Sequence, residues 1–134
     1  MEVQLSQKIL LVEDHDSLSD LFVVIGEHLG YQTIHASNGL EGIRKAINER
    51  PDLIIMDLMM PVMDGIEAIR RIKARRLSCD PPIVVLTASM KEGLFADAIA
   101  AGAAEVIYKP VNVETLRKAV RRYLQPRPAA ALAS

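Results

Sequence analysis

The sequence holds a single cysteine in 134 residues, Cys79, which excludes an intramolecular disulfide framework and any multi-cysteine metal site. It lacks an excess of either charge: 16 Lys+Arg stand against 17 Asp+Glu, a formal net of −1. That balance argues against a generally basic nucleic-acid binder. No apolar run approaches the ~18 residues needed to span a bilayer. The opening MEVQLSQK lacks the basic region followed by an apolar stretch that marks a signal peptide. No internal repeat is present. What is there is 50% apolar and 25% charged, a globular composition at the length of one domain. The expectation is a cytoplasmic domain over residues 1–125, with the Pro- and Ala-rich end, 126–134, read as a disordered tail or truncated linker.

Apolar periodicity alternates between two kinds of segment. Short β-rich runs lie at Lys8–Glu13, Tyr31–Ala36, Asp52–Asp57, Pro82–Thr87 and Ala104–Tyr108. Stretches of helical spacing follow them at about 17–29, 39–49, 65–77, 90–101 and 113–125. Ser17 with Asp20, Asp64 with Glu67, and Ser89 with Glu92 have the spacing of a capping box, and Asn112 is placed to cap the last helix. Gly30 and Gly102 stand where left-handed helix ends are expected. Five strands alternating with five helices predict an α/β fold, a doubly wound parallel sheet. The second strand, with Gln32, Thr33 and His35, reads as an edge; right-handed crossovers then favour the order 2-1-3-4-5.

In such a sheet the ligand site lies beyond the carboxyl ends of the strands, where strand order reverses. Glu13 and Asp14 end the first strand, Asp57 the third, Thr87 the fourth and Lys109 the fifth. Neighbouring strands are about 4.8 Å apart, so these side chains converge on one cleft. Three carboxylates so close repel unless compensated, which a hard divalent cation with oxygen ligands does. Lys109 adds a point charge suited to a phosphoryl oxygen, and Thr87 a hydroxyl donor. A carboxylate beside a metal and a cation is a candidate nucleophile for forming an acyl phosphate, and Asp57 is the central one.

The stretches LLVEDHDSL, MDLMMPVMDG, VVLTAS and YKP, in this order and spacing, resemble the receiver domain of bacterial two-component response regulators, from about Lys8 to Leu124. The resemblance implies that Asp57 accepts a phosphoryl group from a phosphohistidine on a sensor histidine kinase or a histidine phosphotransfer protein. It implies Mg²⁺ (or Mn²⁺) held by Asp14, Asp57 and the backbone carbonyl of Met59, with Glu13 helping directly or through water. Thr87, Lys109 and the Ala88 amide would bind phosphoryl oxygens. A cis Lys109–Pro110 bond is expected, as is an output surface of helix four, strand five and helix five acting on a protein target, with no membrane or direct nucleic-acid contact, by a monomer or a phosphorylation-linked dimer. One departure concerns the switch: Val106 occupies the position where the family usually carries Tyr or Phe, and Val111 replaces the usual Phe. Tyr108, two residues on, shares the strand face of Val106 and is the candidate substitute.

Each residue also has a plainer reading. An acidic pair after a strand is commonly a solvated turn, Thr87 an ordinary β-branched strand residue and Lys109 a surface lysine; their convergence decides against this. His15 reads as solvated, and His28 and His35, without partners at metal-ligand spacing, receive no role. A flavodoxin-like cofactor site needs an anion cradle after the first strand, which EDHD would repel. An aspartyl-phosphate phosphatase would need a second Asp two residues past Asp57, where Met59 stands. About ten residues follow the last helix, too few for a DNA-binding module. The alternatives retained are a constitutive protein-binding module and a receiver excised from a larger regulator or hybrid kinase.

Overall fold

The computed structural model describes residues 7–14, 16–58, 64–76 and 80–124, the side chains of residues 16–19 and 27 excepted. The elements alternate along the chain: β1 (Lys8–Val12), α1 (Asp16–Leu29), β2 (Gln32–Ala36), α2 (Gly39–Glu49), β3 (Leu53–Asp57), α3 (Gly65–Ala74), β4 (Ile83–Thr87), α4 (Leu94–Ala101), β5 (Glu105–Tyr108) and α5 (Val113–Tyr123). The strands pair in parallel in the order β2-β1-β3-β4-β5, as the sequence predicts. Strand composition explains the order. Every residue of LIIMD in β3 and IVVLT in β4 is buried, so both faces of these strands must be covered. The polar β2 and the short β5 take the edges, where a half-exposed side chain costs little.

Strand alternation sends the side chains into two apolar layers. Leu10, Val12, Ile54, Met56, Ile83 and Val85 face α2, α3 and α4. Ile9, Leu11, Leu53, Ile55, Val84 and Leu86 face α1 and α5, where Phe22, Ile25, Leu116 and Val120 cover them. A fully buried side chain such as Phe22 contributes about 1.5–3 kcal/mol of this burial.

Two predicted caps form: the Asp64 carboxylate accepts from the Glu67 amide (2.9 Å) and Asn112 from the Thr115 amide (2.8 Å). Gly30 and Gly102 hold positive φ angles of 83° and 121° at helix ends, a conformation other residues adopt at a cost. One other expected cap, that of Ser89, does not form. The fourth helix starts at Leu94 rather than about 90, with Gly93 as its N-cap. The Ser89 hydroxyl instead accepts from the Lys91 amide (3.2 Å), and the Ser89 amide is taken by Thr87 Oγ1 (3.0 Å), so local turn bonds outcompete the helix start. At the first helix, α1 begins at Asp16, which places Ser17 inside it. The third helix stops at Ala74, three residues short of expectation, and Arg76 takes a left-handed φ of 50°.

The buried Tyr31 donates its hydroxyl to the Leu124 carbonyl at 3.0 Å, fastening the start of β2 to the end of α5 across 93 residues of sequence. Burial pushes its phenol above the ordinary value, against a lowering by Arg121. We expect Tyr31→Phe, which keeps the ring and loses this bond, to lower stability by about 1 kcal/mol. Urea denaturation checks this: the midpoint should fall while the slope stays unchanged.

Candidate functional site

Four strands of the sheet deliver the candidate residues, and the hydrogen-bond ladder runs slightly past each strand end to do so. The Glu13 amide donates to the Ala36 carbonyl (3.0 Å), the Leu58 amide to Leu86 (3.4 Å) and the Lys109 amide to Thr87 (2.8 Å). Glu13, Asp57 and Lys109 therefore continue the alternation that puts Leu11, Ile55 and Ile107 on the α1/α5 side, and all three approach one cleft. Gly65 lets the chain after β3 return close to the strand end: a Cβ there would lie 2.7 Å from both the Asp57 carbonyl and Leu58 Cα.

Lys109 Nζ donates to Asp57 Oδ2 at 2.8 Å. Asp57 is 2% exposed and Glu13 fully buried, whereas Asp14 is exposed and opens the cluster to solvent. One carboxylate oxygen from each of Glu13, Asp14 and Asp57 lies within 4.8 Å of the others. The donor set is all oxygen, anionic and partly open to water. That fits a small hard cation, since Mg²⁺ retains several waters and takes one or two carboxylates, and Mn²⁺ accepts the same ligands. Thr87 is fully buried; its oxygen accepts from Ser89, which leaves its O–H as a donor.

The sequence-based set Glu13, Asp14, Asp57, Thr87 and Lys109 is thus gathered at one end of the sheet, and Met59 lies outside the described residues. The Lys109–Pro110 bond is cis, as expected. Val106 is half-buried against the α2–α4 layer, while Tyr108 is exposed. Sequence reasoning passed over His35, whose Nε2 lies 2.8 Å from the Glu13 carbonyl. In the β1–β2 register His35 stands opposite Leu11, two residues before Glu13.

The response regulator receiver domain family model matches residues 9–121. Sporulation initiation phosphotransferase F of Bacillus subtilis (strain 168) is 32% identical over 120 residues, covering 90% of this chain and 95% of that protein. Hybrid signal transduction histidine kinase G of Dictyostelium discoideum is 41% identical over 119 residues, 87% of this chain but 4% of the kinase. Among solved structures, the receiver domain of a Pseudomonas aeruginosa PAO1 sensor histidine kinase is 32% identical with a TM-score of 0.79, covering 89% of this chain and 98% of that one. It was solved with a magnesium ion coordinated in its active site cleft. The chain thus spans nearly all of one relative, a small part of another, and about half of a matched transcriptional regulator.

Proposed function

This chain belongs to the response regulator receiver domain family, and from that premise we propose that Asp57 is its phosphoacceptor, switched by a phosphohistidine-bearing partner. The observation that carries the reading is the buried Asp57 carboxylate, held at 2.8 Å by Lys109 and flanked by Glu13 and Asp14. A side-chain oxygen of Asp57 attacks the phosphorus; the new P–O bond forms as the P–N bond breaks, and its electron pair returns to the donor imidazole. Lys109 meets the negative charge of the transferred group, and Thr87 donates its hydroxyl to a phosphoryl oxygen. Glu13, Asp14, Asp57 and the Met59 carbonyl would hold Mg²⁺ or Mn²⁺. That ion supplies neutralisation of the gathered negative charge. The Ala88 amide is a further donor to the phosphoryl group.

The donor in this reading is a sensor histidine kinase or a histidine phosphotransfer protein. Two relatives are named as a phosphotransferase and a hybrid histidine kinase, which supports phosphoryl relay. The domain is a signalling phosphoacceptor that promotes its own phosphorylation and dephosphorylation without being an enzyme for a separate substrate. Output runs through α4, β5 and α5, where Phe95, Ile99 and Tyr108 are exposed. With Val106 in the usual aromatic position, movement of Tyr108 or a shift of α4 carries the switch. We place the receiver at residues 1–125 and its site of action in the cytoplasm; among the described residues no helix is long and apolar enough to cross a membrane.

Incubation with acetyl phosphate and Mg²⁺, followed by intact-mass measurement, tests the reading. One phosphoryl adduct should appear with Mg²⁺ and not in EDTA. Absence of an adduct from acetyl phosphate and from phosphohistidine donors alike would overturn it in favour of a constitutive protein-binding module.

A further inference from the structure

We propose that His35 is a positioning residue, holding Glu13, and through it the acidic cluster, in the geometry that takes up the divalent cation. The inference rests on the reading of that cluster given above.

The paired ladder between β1 and β2 ends at Val12 opposite Ala36. One further bond, from the Glu13 amide to the Ala36 carbonyl, extends it. Two residues past Ala36, Asn38 is the N-cap of α2. The imidazole of His35 reaches back to the Glu13 carbonyl, with Nε2 at 2.8 Å. A carbonyl oxygen only accepts, so Nε2 carries the hydrogen. The same nitrogen stands 4.0 Å from Glu13 Oε1, close to the carboxylate as well as the backbone of a fully buried residue.

His35 is itself fastened. Its carbonyl accepts from Lys45 Nζ at 2.6 Å, Lys45 pairs with Glu41 at 3.1 Å, and the Glu41 amide donates to the capping Asn38 side chain at 2.9 Å. A continuous set of bonds therefore runs from the first turns of α2 through the end of β2 to the acidic loop after β1. The sheet does not need histidine at a half-exposed edge position; what the imidazole adds is a donor at the residue bearing the most deeply buried carboxylate of the cluster. Partners that orient ligands in this way commonly change metal affinity by about 10–100-fold.

Calorimetric titration of the full chain with Mg²⁺, comparing wild type with His35→Ala, His35→Gln and His35→Asn, tests the assignment. The Gln amide nitrogen is as many bonds from Cβ as Nε2, whereas the Asn amide nitrogen matches Nδ1. His35→Ala should weaken Mg²⁺ about tenfold, His35→Gln should recover most of the loss, and His35→Asn should not. Mg²⁺ affinity of a folded His35→Ala protein within about twofold of wild type would overturn the assignment, as would Gln proving no better than Asn. If the alanine variant does not fold, the Gln–Asn comparison decides alone. A wild type that takes up no Mg²⁺ would instead overturn the cation reading itself, and this inference with it.

Discussion

Asp57→Asn is expected to abolish phosphoryl uptake and at the same time to raise the melting temperature of the metal-free protein. Like charges at 4.8 Å, the widest separation in the cluster, repel by about 3.5 kcal/mol at an effective dielectric constant of 20, and Asp57 has both Glu13 and Asp14 within that distance. Its attraction to Lys109 at 2.8 Å is about 6 kcal/mol on the same scale and offsets most of that. The desolvation of a carboxylate that is almost fully buried remains, and removing its charge relieves it. A net gain of about 1–2 kcal/mol in EDTA is therefore expected. In Mg²⁺ the difference should shrink or reverse, because the wild type alone keeps all three carboxylates for the cation. Thermal melts in EDTA and in Mg²⁺, paired with intact mass, check both parts. A variant less stable than wild type in EDTA would contradict the electrostatic account.

The opposite sign is expected at the partner. Lys109→Ala leaves Asp57, Glu13 and Asp14 together without the cation that now sits on Asp57. Removing one member of a buried pair costs about 3–5 kcal/mol; with the lysine 22% exposed, about 2–3 kcal/mol is expected in EDTA. Mg²⁺ should restore much of this by supplying positive charge at the same place. Phosphoryl uptake should still slow by about 100-fold, since the lysine charge no longer meets the transferred group. Urea denaturation with and without Mg²⁺, and the rate of adduct formation, separate the two effects. Uptake at the wild-type rate would remove Lys109 from the chemistry.

Most of the fold was legible because the two periodicities are cleanly separated along this chain. The fully apolar β3 and β4 declare themselves central, and the polar Gln32, Thr33 and His35 declare β2 an edge. The site was legible for a related reason: in a parallel sheet all the strands end on the same side, so residues far apart in sequence share a location that the pattern already gives. What failed to show was local competition and long-range contact. Ser89 has the spacing of a helix cap, yet two adjacent hydroxyls satisfy nearby amides and delay α4 to Leu94. His35 reaches a carbonyl 22 residues away, and Tyr31 one 93 residues away; neither bond leaves a mark in spacing. The requirement for glycine at position 65 shows only once the strand-end backbone beside it is in place.

The central claim is that Asp57, among three adjacent carboxylates, is the one that becomes an acyl phosphate. Treatment with acetyl phosphate and Mg²⁺, followed by borohydride, tests it most directly, because borohydride reduces an acyl phosphate to the alcohol and leaves free carboxylates unchanged. Peptide mapping by mass should then find homoserine at position 57, with Glu13 and Asp14 intact. Reduction at position 13 or 14, or a phosphoryl group that survives borohydride on a serine, threonine or histidine, would contradict the account.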